Sequence, residues 1–235
     1  MRRLIITGLP CPPEPWEDFF GKHKGQRVLP LLEVLEHTDS ADLKGMSRYV
    51  ASQIESFEPD SIVCHDYGVP LTLLALLHLQ RKGRSPAAKI TLFNGAFRRL
   101  DIFRSPIPFR IQLMTPTKAI REVESHGGHV DLRLKKYLPR IRAINRLIIA
   151  YSLADKMLSK LGLDEFMGYG GKPLIRSPMQ IIASTDDPYI PYDSIEQLRR
   201  DFSPQRFVKV KYGHFPYSVS SKTIVPLIEE FERTQ

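Results

Sequence analysis

Short apolar runs alternate with longer segments of helical periodicity along most of the chain. The apolar runs are rich in β-branched residues, which is typical of strands buried on both faces of a parallel sheet. Strands are predicted at RRLIITG, near RVLPLLEVL, and at SIVCHD, KITLFNG, MQIIAS and RFVKVKY. Helices are predicted at WEDFFGK, DLKGMSRYVASQIESF, PLTLLALLHLQRKG and KTIVPLIEEFERT. This alternation predicts an α/β domain in which helices cover both faces of a mostly parallel sheet.

One long interval breaks the alternation. No convincing strand lies between Asn94 and Met179. A structureless loop of that length is unusual within a compact domain, so an inserted helical subdomain is the better interpretation. The predicted organisation is therefore a core formed by residues 1–96 and 178–235, with an insertion at residues 97–177.

Composition and length agree with one soluble domain that carries an insertion. The 235 residues are 42% hydrophobic and 26% charged, and no apolar run approaches the roughly 20 residues that span a bilayer. The start of the chain, MRRLIITGLP, has only a short apolar run before Gly8, so it is predicted to be a strand rather than a signal peptide. A cytoplasmic location is expected, with Cys11 and Cys64 as thiols that lack metal-binding spacing.

The net charge of +8 raises the question of an anionic partner. The densest basic segment is DLRLKKYLPRIRAINR, residues 131–146, in which cations alternate with a helical apolar stripe. A solvated helix face is favoured over a phosphate-binding surface, because the segment lacks aromatic platforms or a nucleic-acid motif. We therefore expect no nucleic-acid and no membrane partner, while the oligomeric state is not predicted.

The sequence CHDYG places an ionisable residue where a buried strand meets a buried helix. It has the layout of a nucleophile elbow, G-x-S-x-G, with Asp66 at the central position, Cys64 at the first glycine and Gly68 retained. The dipole of the following helix would favour the ionised carboxylate. Taken alone, Asp66 would more often be a helix-capping residue.

Two further strand ends carry groups that complete a pattern. The stretch IIASTDDPYIP offers an acid at Asp187, with Asp186 as the alternate, and KYGHFPYSV offers His214. Nucleophile, acid and base follow one another in this chain order in hydrolases that carry a nucleophile elbow, and the spacing leaves room for one helix and one strand between acid and base. This combination favours catalysis by Asp66, Asp187 and His214 over separate structural roles.

These motifs resemble the α/β-hydrolase superfamily, and within it the branch with an aspartate nucleophile, which includes epoxide hydrolases and haloalkane dehalogenases. The elbow of epoxide hydrolases commonly reads G-H-D-W-G-G, and CHDYGV shares its histidine, aspartate and first glycine. The stretch TGLP is similar to the H-G-x-P motif that supplies oxyanion-binding N–H groups, and DDPYIP and GHFP are similar to the acid and histidine turns. His65 is expected to pack or hydrogen-bond beside the elbow rather than to perform chemistry.

The resemblance implies an α/β-hydrolase fold whose insertion is a helical cap and whose sheet is shortened at its N-terminal edge. It also implies a mechanism in which Asp66 attacks an electrophilic carbon and forms an alkyl-enzyme ester. His214, oriented by Asp187, would then activate water to hydrolyse the ester. Backbone N–H groups of Leu9 and Tyr67 would stabilise the developing negative charge, and neither a metal nor an organic cofactor is implied.

The resemblance leaves several substrates and roles open. An epoxide or a similarly activated C–O electrophile is favoured, with Tyr151 as the donor to the leaving oxygen. A carbon–halogen bond comes second, because Tyr67 stands where haloalkane dehalogenases use a tryptophan N–H to hold the halide. A biosynthetic lyase, cyclase or isomerase with Asp66 as base is an alternative. A non-catalytic ligand-binding protein is another, because Thr7 and Val69 depart from the family motifs.

Overall fold

Six parallel strands form the main sheet of the computed structural model, which describes residues 1–8, 12–38, 42–97, 113–143, 159, 167–168, 172–218 and 221–234. In chain order the strands are β1 Arg3–Ile6, β2 Gln26–Leu29, β3 Ser61–His65, β4 Lys89–Phe93, β5 Met167–Gly168, β6 Lys172–Pro173, β7 Met179–Ser184 and β8 Arg206–Val210. The main sheet has the order β2-β1-β3-β4-β7-β8, and β5 and β6 pair separately as a two-stranded antiparallel sheet. The predicted fold class, a mostly parallel sheet flanked by helices, is confirmed.

Helices connect the parallel strands and cover the sheet. They are α1 Glu14–Phe20, α2 Leu31–Glu36, α3 Leu43–Phe57, α4 Gly68–Arg81, α5 Pro116–Ser125, α6 Tyr192–Phe202 and α7 Ser221–Arg233. Short 3₁₀ segments lie at Leu132–Tyr137 and Pro216–Ser218, and residues 138–143 are helical. One helix, α6, and one strand, β8, separate the predicted acid from the predicted base, as the spacing indicated.

The centre of the sheet is buried on both faces, which explains its continuous apolar sequence. Every residue of β1, β3 and β7 is buried, and so is almost every residue of α4, which follows β3. Because a parallel strand is covered by crossover helices on both sides, none of its positions needs a polar side chain for solvent. The polar residues that do occur at the carboxyl ends of these strands therefore require another explanation.

The strand predicted near RVLPLLEVL is only partly correct. It ends at Leu29, and the residues after Pro30 form α2 instead of continuing the strand. Proline has no N–H for a sheet ladder, whereas it is well tolerated immediately before the first turn of a helix. The apolar residues of LLEVL are buried through helical packing, so their burial does not require extended structure.

The interval 97–177 contains mainly helical structure among its described residues, and its boundaries as a cap stay a prediction. The expectation that it lacks strands is wrong at one point, since β5 and β6 pair within it. Part of the basic segment serves internal contacts: Arg140 donates to the Leu35 carbonyl at 2.8 Å and to Thr38 Oγ1 at 3.0 Å, while Arg133 pairs with Asp131 at 2.7 Å. In the part of the chain that the structure describes, no helix is long and apolar enough to cross a membrane.

Candidate active site

Asp66 occupies a sharp turn between β3 and α4. Its φ of 52° lies in the left-handed region, which residues other than glycine rarely adopt. The surroundings leave no room for larger neighbours, because a Cβ atom on Gly68 would collide with the Ile6 carbonyl oxygen and one on Gly8 would collide with the Asp66 side chain. Backbone conformation and crowding together make this turn a nucleophile elbow in shape, with a carboxylate at its tip.

His214 and Asp187 form a buried pair. The Nδ1 atom of His214 lies 2.8 Å from Oδ2 of Asp187, and their side chains are 3% and 0% exposed. The other carboxylate oxygen of Asp187 accepts the N–H groups of Tyr189 at 2.7 Å and Ile190 at 3.0 Å, which fixes the orientation of the carboxylate. A ring that donates from Nδ1 carries its lone pair on Nε2 when it is neutral, as a general base requires.

Asp186, the alternate acid, has a different set of partners. Its Oδ1 atom accepts the Gly213 N–H at 3.0 Å and the Tyr212 N–H at 3.1 Å, and it also accepts the Ser184 hydroxyl at 2.7 Å. Partial removal from water opposes ionisation, but the bonds from Gly213, Ser184 and Tyr212 outweigh it and lower the pKa of this carboxyl. Asp186 therefore binds the backbone of residues 212–214, the histidine turn, whereas Asp187 contacts the His214 ring.

The charge of Asp66 acts on His214. Burial is the largest influence on the ring and by itself lowers the pKa of His214. The Asp187 carboxylate and, less strongly, that of Asp66 act in the opposite direction, and the pKa lies above its usual value. The three predicted residues thus share one electrostatic environment at the carboxyl edge of the sheet.

Two side chains that follow or end neighbouring strands donate hydrogen bonds to backbone carbonyls of the histidine turn. His65 Nε2 donates to the His214 carbonyl at 2.8 Å, and Asn94 Nδ2 donates to the Gly213 carbonyl at 3.0 Å. The amide oxygen of Asn94 accepts the Ser184 N–H at 2.9 Å and the Tyr212 hydroxyl at 2.8 Å. Sequence reasoning missed Asn94, although a buried asparagine at the end of an apolar strand was a usable signal.

A tyrosine joins the site to the inserted interval. The ring of Tyr189 lies 4.7 Å from that of His214, and its hydroxyl is 3.3 Å from both the Glu122 carbonyl and Nδ1 of His126. Burial and the nearby carboxylates, including that of Asp66, raise the pKa of Tyr189, so its hydroxyl stays protonated. The end of α5 therefore contacts the residue that covers the histidine, a contact with no signal in the sequence.

The sequence matches no family model and no curated protein. The structure is similar to the RedJ thioesterase of the prodiginine biosynthetic pathway in Streptomyces coelicolor, with 15% identity and a TM-score of 0.63 over 100% of this chain and 90% of that chain. It is similar to a Bacillus megaterium epoxide hydrolase, with 13% identity and a TM-score of 0.62 over 99% and 93%. It is also similar to an α/β-hydrolase fold protein from Burkholderia ambifaria, with 14% identity and a TM-score of 0.60 over 97% and 90%. The chain has the α/β-hydrolase fold.

Within this α/β-hydrolase fold, the remaining predicted site residues divide into two groups. Leu9 and Tyr151 lie outside the described residues. Tyr67 is described and is 7% exposed, and its hydroxyl has no hydrogen-bond partner in the described part of the chain. Burial and the Asp66 charge hold the pKa of Tyr67 well above its usual value, so it remains a donor. The hydroxyl of Thr7 is also buried without a partner among these residues.

Two other features of the surroundings bear on ligands. A cavity of about 560 Å³ opens beside α1, with Asp18, Phe19, His129 and Tyr217 in its lining, and neither Asp66 nor His214 lines it. Within the described ranges, no group of three or more His, Cys, Asp or Glu side chains lies close enough together to hold a metal ion. At the carboxyl edge of the sheet lies a carboxylate whose charge acts on an imidazole, and such a pair suits attack by the carboxylate followed by base-assisted addition of water.

Proposed function

We propose that this chain is a hydrolase that acts on a small organic molecule through a covalent ester on Asp66, without a cofactor. The observation that carries the proposal is a carboxylate at the tip of an elbow turn, with φ of 52°, whose charge acts on a histidine held 2.8 Å from a second carboxylate. Asp66 is the nucleophile, His214 the base and Asp187 the residue that orients and charges the base.

In the first step an Asp66 oxygen attacks an electrophilic saturated carbon of the substrate. The new carbon–oxygen bond forms as the bond to the leaving atom breaks, and the leaving atom takes the electron pair. For an epoxide, the leaving atom is the ring oxygen, which remains attached to the product and takes up a proton. Tyr151, outside the described residues, remains the proposed donor of that proton.

In the second step water attacks the carbonyl carbon of the ester. His214 removes a proton from the water, the tetrahedral intermediate collapses, and the alcohol leaves as the Asp66 carboxylate is restored. Esterification itself prepares the base, because it removes the Asp66 charge, one of the influences that raise the pKa of His214. The imidazole is therefore more readily neutral at the stage when it must accept a proton.

An epoxide or another activated C–O electrophile is the favoured substrate. The buried Tyr67 hydroxyl, without a partner in the described part and under the influence of the Asp66 charge, offers an O–H donor beside the nucleophile. Hydroxyl donors suit a developing alkoxide, which forms strong charge-assisted hydrogen bonds. The similarity to a Bacillus megaterium epoxide hydrolase agrees with this choice. Hydrolysis of a carbon–halogen bond is the second choice.

The test is to trap the ester. A His214→Gln variant is incubated with a panel of epoxides and haloalkanes, and intact-protein and peptide mass spectrometry locates the adduct. We expect the peptide containing Asp66 to gain the whole mass of an epoxide, or the mass of a haloalkane less that of hydrogen halide, with no such gain in the His214→Gln, Asp66→Asn double variant. Which class of compound forms the adduct decides between the two substrates.

The absence of an adduct across the panel would overturn the ester mechanism. Saturable ligand binding without turnover by the unmodified chain would then favour a non-catalytic ligand-binding protein. Conversion of a ligand without incorporation of oxygen from ¹⁸O-labelled water would instead favour a lyase, cyclase or isomerase.

A further inference from the structure

His65 is a completely buried histidine that makes one strong hydrogen bond. Its side chain is 0% exposed, and Nε2 lies 2.8 Å from the carbonyl oxygen of His214. A carbonyl oxygen only accepts, so the proton of the neutral ring must reside on Nε2. This leaves Nδ1 as the unprotonated nitrogen, and it has no hydrogen-bond partner among the described residues.

The surroundings keep this ring neutral and in place. Burial, and then the proximity of His214 with a ring centroid 4.7 Å away, lower the pKa of His65 well below its usual value. Aromatic rings also pack around it, with the centroid of Trp16 at 5.5 Å and that of Phe215 at 5.8 Å. The ring is thus a neutral donor whose tautomer and orientation are set by its contacts.

The position of His65 in the chain lets this bond join the nucleophile's strand to the base. It is the last residue of β3, so Asp66 is its covalent neighbour, while its hydrogen bond ends on the backbone of His214. Asn94 makes a comparable bond to the preceding carbonyl, that of Gly213, but Asn94 directly follows β4. The His65 bond therefore connects the strand of the nucleophile directly to the residue of the base.

We propose that His65 is a positioning residue, and that its hydrogen bond sets the separation between the Asp66 carboxyl and the His214 imidazole. The inference rests on the proposed ester mechanism for its kinetic consequence. Formation of the ester needs Asp66 and the leaving-group donors. Hydrolysis of the ester needs a water molecule held between the Asp66 carbonyl carbon and His214. Loss of the His65 bond therefore slows the second step more than the first.

The kinetic experiment compares His65→Leu, His65→Gln and the control Cys64→Ala. Leucine removes the donor, and glutamine restores an N–H at the distance of the imidazole Nε2. Cys64→Ala removes a neighbouring buried side chain of β3 whose thiol donates to the Thr91 carbonyl. With a substrate found by trapping, we expect His65→Leu to lower kcat by about 10²-fold, as a misplacement near 1 Å can do. During steady-state turnover, the His65→Leu variant should accumulate the Asp66 ester.

His65→Gln should recover most of the rate of ester hydrolysis, and Cys64→Ala should not accumulate ester. Equal loss in the leucine and glutamine variants would overturn the proposal, and so would a leucine variant whose two steps slow by the same factor. If His65→Leu fails to fold, the comparison of His65→Gln with the unmodified chain still tests the proposal, because accumulation of ester in a variant that keeps the donor would overturn it.

A second measurement needs no substrate. In ¹⁵N-histidine-labelled protein, the signal that disappears in His65→Gln should belong to a neutral ring protonated on Nε2 at neutral pH. A ring protonated on Nδ1, or one that is charged at neutral pH, would overturn the proposal even if ester formation were established. If no compound forms an ester, the proposed function fails, while this experiment still decides whether the bond exists as described.

Discussion

The two halves of the candidate site differ in how completely their polar groups are bonded. At the ends of β7 and β8, the turn of residues 212–214 is held at successive backbone groups. Asp186 accepts two of its N–H groups, and Asn94 and His65 each bind one of its carbonyls. Asp187 then binds the imidazole itself. Such a saturated network holds the base in one orientation.

At the ends of β1 and β3, several buried polar atoms have no partner among the described residues: Thr7 Oγ1, His65 Nδ1 and the Tyr67 hydroxyl. The backbone there is also strained, since Asp66 adopts a positive φ. Unpaired buried groups and strained backbone both cost stability and are found where function requires them. The polar groups of the turn of residues 212–214 are thus bonded, whereas the half around Asp66 keeps buried polar atoms without partners among the described residues.

Replacing Asp66 by glycine should have the largest effect, because turnover should fall while the free energy of unfolding rises. The nucleophile is lost, so we expect turnover to fall by about 10⁵-fold or more. Glycine adopts a positive φ without steric cost, so the free energy of unfolding should rise by about 1 kcal/mol. Steady-state kinetics and urea denaturation measure the two effects, with Ser203→Gly, also at positive φ but away from the site, as a control for the backbone effect alone.

The adjacent acids Asp186 and Asp187 should differ in their effect on turnover when each is replaced by asparagine. Asp187→Asn removes the charge that stabilises protonated His214, and we expect kcat to fall by about 10³-fold. Asp186→Asn weakens two hydrogen bonds from the turn and one from the Ser184 hydroxyl, and it should lower the free energy of unfolding by about 1 kcal/mol, a modest value because the carboxylate is partly exposed. Kinetics and urea denaturation on both variants test this.

The Asp186 effect should also depend on pH. Because its pKa is lowered on folding, this carboxylate contributes stability above its unfolded pKa, and the contribution disappears as the pH falls through the folded value. The stability difference between Asp186→Asn and the unmodified chain should therefore shrink in acid. If Asp186→Asn abolished turnover while Asp187→Asn did not, the assignment of the two acids would be reversed.

Removal of a buried polar group should lower the free energy of unfolding strongly beside the histidine turn and only slightly beside Asp66. Asn94→Ala leaves the Gly213 carbonyl and the Ser184 N–H without their partner, and we expect the free energy of unfolding to fall by about 3 kcal/mol. Tyr67→Phe removes a hydroxyl that has no partner in the described part, so stability should change by less than about 0.5 kcal/mol. Urea denaturation of both variants measures the difference, and a large loss in Tyr67→Phe would show that its hydroxyl is bonded.

Sequence reasoning reached the features of this site that are encoded locally. An apolar run followed by a short polar turn marks a strand end, and this pattern predicts that Asp66, Asp187 and His214 follow three strands of one sheet, as the structure shows. The supporting bonds were beyond its reach, because they join residues far apart in sequence: 149 positions separate His65 from His214 and 119 separate Asn94 from Gly213.

The choice between Asp186 and Asp187 also depended on contacts that the sequence does not show. Both follow the apolar strand β7, and nothing in DDPYIP distinguishes a carboxylate that faces the imidazole from one that faces the backbone of the turn. The distinction depends on where the turn after β8 lies in space. In the same way, the burial of LLEVL was evident from its composition, but the change from strand to helix depended on the single proline at position 30.

The smallest expected effect links the two halves directly. Asp66→Asn removes one carboxylate that acts on His214, so the pKa of His214 should fall, and by less than in Asp187→Asn, where the stronger partner is lost. A histidine whose pKa is raised on folding contributes stability below its unfolded pKa, which is lost as the pH rises through the folded value. Asp66→Asn should therefore reduce this stability at low pH and move the NMR titration of His214 to lower pH. An unchanged titration would mean that the elbow and the histidine turn are not coupled, and the base would then gain nothing from esterification of the nucleophile.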